Sequence, residues 1–502
     1  MPENIEVELK LKLADSGEYE RLIVDTDIFK ISELGEARVE EYETTYFDTS
    51  GHELGKEGLT YRIRKAKDSY TATIKDYGSN EGGLHVRNEW NRVIPDEKPD
   101  IKPFSDLEIA SKLKELIGEK SLEPVFETRF KRHILNFHAE DGSIIEVGAD
   151  SGEIISGDKS EPICEIELEL KGGQVTELLK LGSRLSEQYP LVLEEKSKYQ
   201  RGIMLAAFHT EIGEQTGKLE LHKNKKTKNE IEKTLVFCLM QIIKTQELFI
   251  KEPGNIEVVH AFRISIRRFR SLMSFVKPVL KLEEYLAVQE KMRSLEQKFS
   301  YIRQLDVLIE EWNGIVKKNK DQFSSETVLG GALKTARGAE QAQVSHIVSI
   351  GTATPDILSV WAWLMEKPLE NNADAEVPLE SFTEKRLGNW LKRIQNDLEN
   401  VGEYDNAAFH AFRIRCKKLR YALDMIAPVL DNKYKKLLAD SKELQELLGN
   451  IFDTGRNISE VKKLLSNQSD LSLHFEAGAF TGYQLSKAEV LLRVLKEYKF
   501  DY

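Results

Sequence analysis

Glu6, Glu8, Lys10 and Lys12 occupy alternate positions of Ile5-Glu6-Val7-Glu8-Leu9-Lys10-Leu11-Lys12, with Val7, Leu9 and Leu11 between them. A strand has a side-chain period of two, so the charged groups share one face and the aliphatic ones the other. The pattern recurs. Cys164-Glu165-Ile166-Glu167-Leu168-Glu169-Leu170 sets three carboxylates on one face, and Thr60-Tyr61-Arg62-Ile63-Arg64 sets two guanidiniums on another. Lys75 ends Thr71-Ala72-Thr73-Ile74-Lys75, and Arg87 alternates with Glu89 in His85-Val86-Arg87-Asn88-Glu89. Carboxylates in such numbers are hard oxygen ligands, suited to Mg²⁺, Mn²⁺ or Ca²⁺ and not to zinc. Two of them about 4 Å apart repel by roughly 4 kcal/mol at an effective dielectric of about 20, so a cluster needs a cation. Guanidinium and ammonium groups opposite them suit phosphate oxygens. The set supports metal-assisted chemistry on a polyphosphate.

One strand with a charged face is as often an ordinary amphipathic strand with its charges in water. Several such strands closed into a barrel, polar faces inward, make a tunnel with acids on one side and bases on the other. Glu6-Val7-Glu8-Leu9-Lys10 resembles the ExExK signature of the CYTH superfamily, the triphosphate tunnel metalloenzymes. In order along the chain follow Arg62 and Arg64, Lys75, Arg87 with Glu89, Arg129 and Arg132 in Phe126-Glu127-Thr128-Arg129-Phe130-Lys131-Arg132, and Glu146 and Asp150. The Glu165/Glu167/Glu169 strand and Ser197-Lys198-Tyr199-Gln200-Arg201-Gly202 complete the set. Tyr61 precedes Arg62 where the family commonly has leucine.

The resemblance implies an α+β domain over residues 1–204, an antiparallel barrel of about eight strands with flanking helices. It implies catalysis centred on Glu6, Glu8 and Lys10, with Mg²⁺ or Mn²⁺ held by Glu6, Glu8, Asp150, Glu165 and Glu167. The phosphates fall to Lys10, Arg62, Arg64, Lys75, Arg87, Arg129, Arg132 and Lys198. Arg129 and Arg132 are three positions apart, so on a regular strand only one can face the lumen. Glu169 is expected at the rim and Glu153 in a turn.

Beyond about residue 205 alternation gives way to helical periodicity, with a polar linker over 205–218. Gly213 to Lys218 superficially resembles a phosphate-binding loop, but its spacing is one residue short and Leu219 stands where Ser or Thr is needed. In residues 219–502, His260-Ala261-Phe262-Arg263-Ile264-Ser265-Ile266-Arg267-Arg268-Phe269-Arg270 returns 150 residues later as His410-Ala411-Phe412-Arg413-Ile414-Arg415-Cys416-Lys417-Lys418-Leu419-Arg420. On a helix His260, Arg263, Arg267 and Arg270 fall within an arc of about 80°, with Phe262 and Phe269 opposite. His410, Arg413, Lys417 and Arg420 repeat the stripe, with Phe412 and Leu419 behind.

One basic stripe is ordinarily a solvated face. Two copies without interleaved acids, each destabilised by like charges at helical spacing, point to an external polyanion. The repeat resembles the CHAD domain, and Ile302-Arg303-Gln304-Leu305-Asp306-Val307 and Leu444-Gln445-Glu446-Leu447-Leu448-Gly449-Asn450-Ile451-Phe452-Asp453 resemble its following motifs. Gln304 replaces an aspartate usual there, and Ser300-Tyr301 a Leu-Gly pair. The resemblance implies an all-α domain of two pseudo-symmetric helical bundles whose eight stripe residues bind inorganic polyphosphate.

The net charge of −12 and pI near 5.6 argue against a general nucleic-acid binder, and the stripes lack aromatics for base stacking apart from Tyr421. Cys164, Cys238 and Cys416 have no metal-ligand spacing and read as buried thiols in a reducing compartment. No membrane span or signal peptide is evident, which predicts a cytoplasmic protein, free or on polyphosphate granules. The expected activity is metal-dependent hydrolysis of inorganic triphosphate. The alternatives are a non-catalytic polyphosphate-binding protein and a tunnel enzyme for an organic triphosphate, hydrolysing thiamine triphosphate or cyclising ATP.

Overall fold

The structure, a computed structural model, describes residues 4–24, 38–207, 219–369, 372–430, 434–465 and 469–500. Most of the expected linker, residues 208–218 with the Gly213–Lys218 loop, lies outside the described residues. Two compact units form, Met1–Gly217 with Ser349–Glu366, and Lys218–Val348 with Lys367–Tyr502.

The first unit contains strands β1 (Ile5–Leu13), β2 (Arg38–Thr49), β3 (Leu59–Ala66), β4 (Ser69–Asp76), β5 (Ser79–Glu81), β6 (Leu84–Ile94), β7 (Leu122–His138), β8 (Ile144–Ser156), β9 (Lys159–Gly172) and β10 (Leu191–Leu193). Eight of them close a ring, β1-β9-β8-β7-β2-β3-β4-β6 and back to β1, with every pairing antiparallel; β10 and β5 extend its edges. Alternation decides which side is wet. Leu9, Leu11, Ile166 and Leu168 point outward and are fully buried, while Glu6, Glu8, Lys10, Glu165 and Glu167 point into the lumen. Most of the apolar core therefore lies outside the barrel, under helices, and the interior is charged except where Tyr46, Phe126, Phe130, Ile154 and Ile163 pack with Tyr199 and Ile203.

Helices α1 (Ser16–Val24), α2 (Glu53–Lys56), α3 (Ala110–Ile117) and α4 (Val175–Gln188) cover this surface, and α5 (Lys198–Leu205) packs against the apolar part of the interior. Tyr61, Ile63, Ile74 and Trp90 pack with Leu113 and Ile117 of α3. Helix α3 starts at Ala110, after a 3₁₀ turn over Lys102–Phe104 that holds Pro103. Glu153, expected in a turn, lies within β8, paired with Arg129. A capping box between Ser197 and Gln200 fixes the start of α5. Gly202 lets this helix lie on the barrel, for a Cβ there would stand 2.2 Å from the Phe126 ring.

The second unit is all-helical: α6 (Thr227–Lys251), α7 (Ile256–Val276), α8 (Leu282–Lys298), α9 (Ser300–Lys318) and α10 (Val328–Ser349) form one half. Helix α11 (Thr354–Met365) intervenes, followed by α12 (Ala373–Glu376), α13 (Leu379–Asn400), α14 (Asn406–Ile426), α15 (Tyr434–Leu465) and α16 (Leu471–Glu497). Adding 150 to the bounds of α7 gives those of α14, and the same offset relates the 3₁₀ turns Lys277–Val279 and Ala427–Val429. The two halves repeat one four-helix plan, α15 standing for α8 and α9 together. They share a core in which Leu305 and Trp312 of α9 meet Val461 of α15 and Phe480 of α16.

The expected boundaries 1–204 and 219–502 do not anticipate Ser349–Glu366. This segment joins the two helical halves in sequence, yet it belongs to the barrel unit. Ile357, Leu358 and Trp361 of α11 are buried, Ser183 Oγ of α4 donates to the Pro355 carbonyl at 2.8 Å, and a Cβ on Gly182 would meet both Leu9 and Leu358. No single helix among the described residues is long and apolar enough to cross a membrane.

Candidate functional site

The barrel encloses a cavity of about 530 Å³, lined by charged and hydroxylated side chains from all eight ring strands and from α5. Strand register builds it. In the β1–β6 ladder Glu6 faces Arg87, and in the β1–β9 ladder Lys10 faces Glu167. Lys75 Nζ donates to both oxygens of Glu6 at 2.8 Å, and Arg87 Nε to the same carboxylate at 2.9 Å while its other end meets Glu8. Burial raises the Glu6 pKa, but Lys75 and Arg87 outweigh it and hold this carboxyl well below the usual range.

A second acidic group lies across Lys10, which bridges Glu8 at 3.2 Å and Glu167. Asp150 takes a two-point hydrogen bond from Arg132, 2.6 Å on each arm, and a third bond from Lys198 at 2.6 Å. Lys198 also contacts Glu165 and donates to Glu167 at 2.9 Å, and Arg132 reaches Glu167. Gly148 makes room for this arginine: a Cβ there would stand 3.1 Å from Arg132 Nε. Burial opposes the charge on Lys198 and on Glu167, yet their partners keep the lysine pKa raised and the carboxyl well below normal.

Asp150, Glu165 and Glu167 each offer an oxygen within 4.8 Å of the others'. Three hard oxygen donors from the neighbouring strands β8 and β9 fit a Mg²⁺ or Mn²⁺ ion and do not fit a thiophilic one. The five expected metal ligands thus fall into two groups, Glu6 with Glu8 and this trio, with Lys10 between them. Glu169 lines the cavity, but its partner is Lys171 at 2.7 Å.

Arg62 and Arg64 face these acids from β3. Arg62 approaches Glu89 at 3.4 Å. Arg64 makes no ion pair among the described residues, its Nε has no hydrogen-bond partner, and burial, then Arg62 and Arg132, push its pKa down to about 10. Its guanidinium lies 4.4 Å from the Tyr42 ring centroid. A guanidinium without a carboxylate partner in a charged lumen is chemically suited to an anion.

Arg129 requires a correction. It lies on the opposite face of β7 from Arg132, its side chain is 60% exposed, and its partner is Glu127 at 3.1 Å, so it cannot touch a ligand in the lumen. Phe126, Thr128 and Phe130 point inward with Arg132, as period two requires. Residues not anticipated are Arg201, which bonds Glu165 at 2.8 Å and Glu161 at 2.7 Å, and Tyr42 and Tyr46 on the cavity wall. His85, opposite Glu8, is neutral: burial, then Lys10, push it down to about 3. Arg201 stands in the quoted Lys198-Tyr199-Gln200-Arg201 run, so its spacing could have revealed it.

In the helical unit α7 and α14 pack against each other and bring the two stripes together. Arg263 is 5% exposed and its Nε has no hydrogen-bond partner; burial and then Arg267 push it down to about 9. Burial, then Arg267 and Arg413, bring Lys417 to about 6. The stripes hold no interleaved acids of their own, but acids arrive from other helices. Glu296 of α8 accepts from Arg267 at 2.6 Å and meets Arg270, and Asp453 of α15 lies 3.6 Å from Arg413. Arg303 and Arg456 add positive charge beside Arg263. Arg420 bonds Gln445 at 2.6 Å. Burial, together with Arg303 and Arg263 at His260 and with Arg413 and Lys417 at His410, lowers both histidines.

Residues 4–203 match the CYTH domain family and residues 235–456 the CHAD domain family. An inorganic triphosphatase of Haemophilus influenzae is 34% identical over 170 residues, 32% of this chain and 45% of that protein, so the match spans less than half of that relative. Among solved structures, the CHAD domain of the plant Ricinus communis covers 57% of this chain and 99% of its own at 19% identity, with a TM-score of 0.45. A putative adenylyl cyclase from Hippeastrum, described as having a dominant triphosphatase activity, covers 40% and 95% at 19% identity, with a TM-score of 0.31. At these scores neither likeness bears on function.

Proposed function

This chain joins a CYTH domain to a CHAD domain, and from that premise we propose that its barrel is a metal-dependent triphosphatase acting on inorganic triphosphate and its helical unit a binder of inorganic polyphosphate. The observation that carries the reading is that Arg64, without a carboxylate partner among the described residues, and Glu167 line one cavity, with Asp150 and Glu165 fully buried beside Glu167. Cations on β3, β4 and β6 suit the phosphate oxygens, and the carboxylates on β8 and β9 suit a divalent cation. A bound Mg²⁺ or Mn²⁺ supplies Lewis acidity toward the phosphoryl oxygens and acidifies water.

The chain's own groups do the rest. Arg62 and Arg64 bind the phosphate chain, and Lys75 and Arg87, released in part from Glu6, take up charge that develops on it. Lys10 sits where it can exchange Glu167 for a phosphate oxygen. Burial of the lumen strengthens each contact by excluding water. Phosphate release from inorganic triphosphate, ATP and thiamine triphosphate tests this function; the fastest rate belongs to inorganic triphosphate, and a faster rate with an organic substrate overturns that choice.

In the helical unit, Arg263, Arg267, Arg413 and Lys417 form the centre of the polyphosphate groove, with His260, Arg270, His410 and Arg420 toward its ends. Support comes from the convergence of two stripes whose central cations are buried and under-neutralised. Such a groove can feed the tunnel or hold the enzyme on cytoplasmic polyphosphate granules. A polyphosphate pull-down at rising salt tests it, binding at low salt and loss at high salt being the expected result.

A further inference from the structure

We propose that Phe130, with Tyr42 packed against it, is a positioning residue that aims the phosphate-binding cations of the lumen without neutralising them, a role that rests on the triphosphatase reading above. Phe130 lies on the inward face of β7, opposite Tyr42 in the β2–β7 ladder, and is 5% exposed. Three cations gather around its ring: Lys198 Nζ at 5.0 Å from the centroid, the Arg132 guanidinium carbon at 5.6 Å and that of Arg64 at 5.9 Å. Tyr42 meets the ring at 5.4 Å with an interplanar angle of 61°, a T-shaped contact, and its own centroid is 4.4 Å from Arg64. The Tyr42 hydroxyl donates to Glu40 at 2.5 Å, which fixes the ring.

An aromatic face attracts a cation through its quadrupole while carrying no net charge. A carboxylate in its place would also hold these side chains, but it would compete with phosphate for them and would have to be displaced at every turnover. At Arg64 this difference decides the matter, since no carboxylate partners it among the described residues and its Nε is unbonded. The Tyr42 and Phe130 rings both lie against it. At Arg132 and Lys198 the ring adds a fixed side to groups whose other partners, Asp150 and Glu167, are suited to metal binding. Were those carboxylates to hold a divalent cation, the ring contacts to Arg132 and Lys198 would remain. Phe130 itself does not line the cavity, so it acts through its neighbours.

The test is replacement of Phe130 by mono-, tri- and pentafluorophenylalanine, which keep the shape and progressively remove the negative character of the face. Binding of inorganic triphosphate is measured by calorimetry, in Mg²⁺ and in EDTA, with KM and kcat from phosphate release and thermal unfolding as a check on the fold. The expected result is a stepwise loss reaching about tenfold at the pentafluoro ring, equal to about 1.4 kcal/mol. KM should rise accordingly, with the unfolding temperature unchanged. Phe130→Leu should bind as weakly as the pentafluoro protein. Equal affinity across the fluorinated series overturns the proposal, and so does a loss in Phe130→Leu alone, which would show that shape and not charge matters. A natural protein that binds no triphosphate removes the functional premise and the proposal with it; normal binding with a flat series sinks the positioning role alone.

Discussion

Arg64→Met separates binding from stability. With its pKa lowered from 12.5 to about 10, chiefly by burial and then by Arg62 and Arg132, a charged Arg64 costs the empty protein on the order of 3 kcal/mol. No ion pair among the described residues is lost on removing it. The variant should therefore be at least as stable as the natural protein, within about 1 kcal/mol after loss of the ring contacts. Binding moves the other way. A unit charge about 4 Å from a phosphate contributes roughly 4 kcal/mol at an effective dielectric of about 20, and a charge-assisted hydrogen bond nets about 1.5–3 kcal/mol after desolvation. A loss of about 2–3 kcal/mol lowers kcat/KM for triphosphate by about 30- to 150-fold. Arg132→Met is the contrasting control, since it strips Asp150 and Glu167 of a buried partner and should destabilise by about 3–5 kcal/mol. Phosphate release and thermal unfolding on the two variants decide it. An Arg64→Met protein that is less stable than Arg132→Met, or whose kcat/KM stays within about threefold of the natural value, refutes the reasoning.

Replacing Arg263, Arg267 and Arg413 by Gln and Lys417 by Met should weaken polyphosphate retention and flatten the slope of its log affinity against log salt by about 0.7 per lost cation, leaving triphosphate hydrolysis intact; unchanged retention contradicts the groove. Lys417, brought to about 6 by burial, Arg267 and Arg413 against Asp453 and Glu296, is mostly neutral in the empty groove near neutral pH. A polyanion favours its charged form, so binding takes up a proton and strengthens as pH falls from about 8 to about 6, by at most about one log unit per pH unit, then levels off. Calorimetry in buffers of different ionisation heat measures that proton, and pH-independent affinity contradicts it. Trp361→Ala, at a site 2% exposed in α11, should destabilise the barrel unit by about 3–5 kcal/mol and speed hydrogen exchange in α4; exchange unchanged there would show that the Ser349–Glu366 segment does not support the barrel.

The barrel was legible because its strands carry charge at period two, and that same period puts Glu6, Glu8, Lys10, Arg62, Arg64 and the β9 carboxylates in the lumen. Period two also states that Arg129 and Arg132 oppose each other, but choosing between them needs the register of β7 against β2, where Phe130 meets Tyr42. That register is a long-range fact, set by packing. For the same reason Tyr42 and Phe130 read as plain core aromatics until the cations around them are placed. In the helical unit the 150-residue repeat was visible residue by residue, whereas Glu296 and Asp453 reach the stripes from helices whose angle to α7 and α14 no local pattern encodes. The docking of α11 on α4 was hidden because an apolar helix carries no mark of which unit it covers.

In the proposed function acids and bases in one lumen hydrolyse inorganic triphosphate with a divalent metal. Phosphate release from inorganic triphosphate, measured in Mg²⁺, in Mn²⁺ and in EDTA for the natural protein and for Glu167→Gln, tests it most directly. Release with either metal, none in EDTA, and at least about a thousandfold less from a folded Glu167→Gln protein is the predicted result. Release that persists in EDTA, or a Glu167→Gln protein as fast as the natural one, contradicts it.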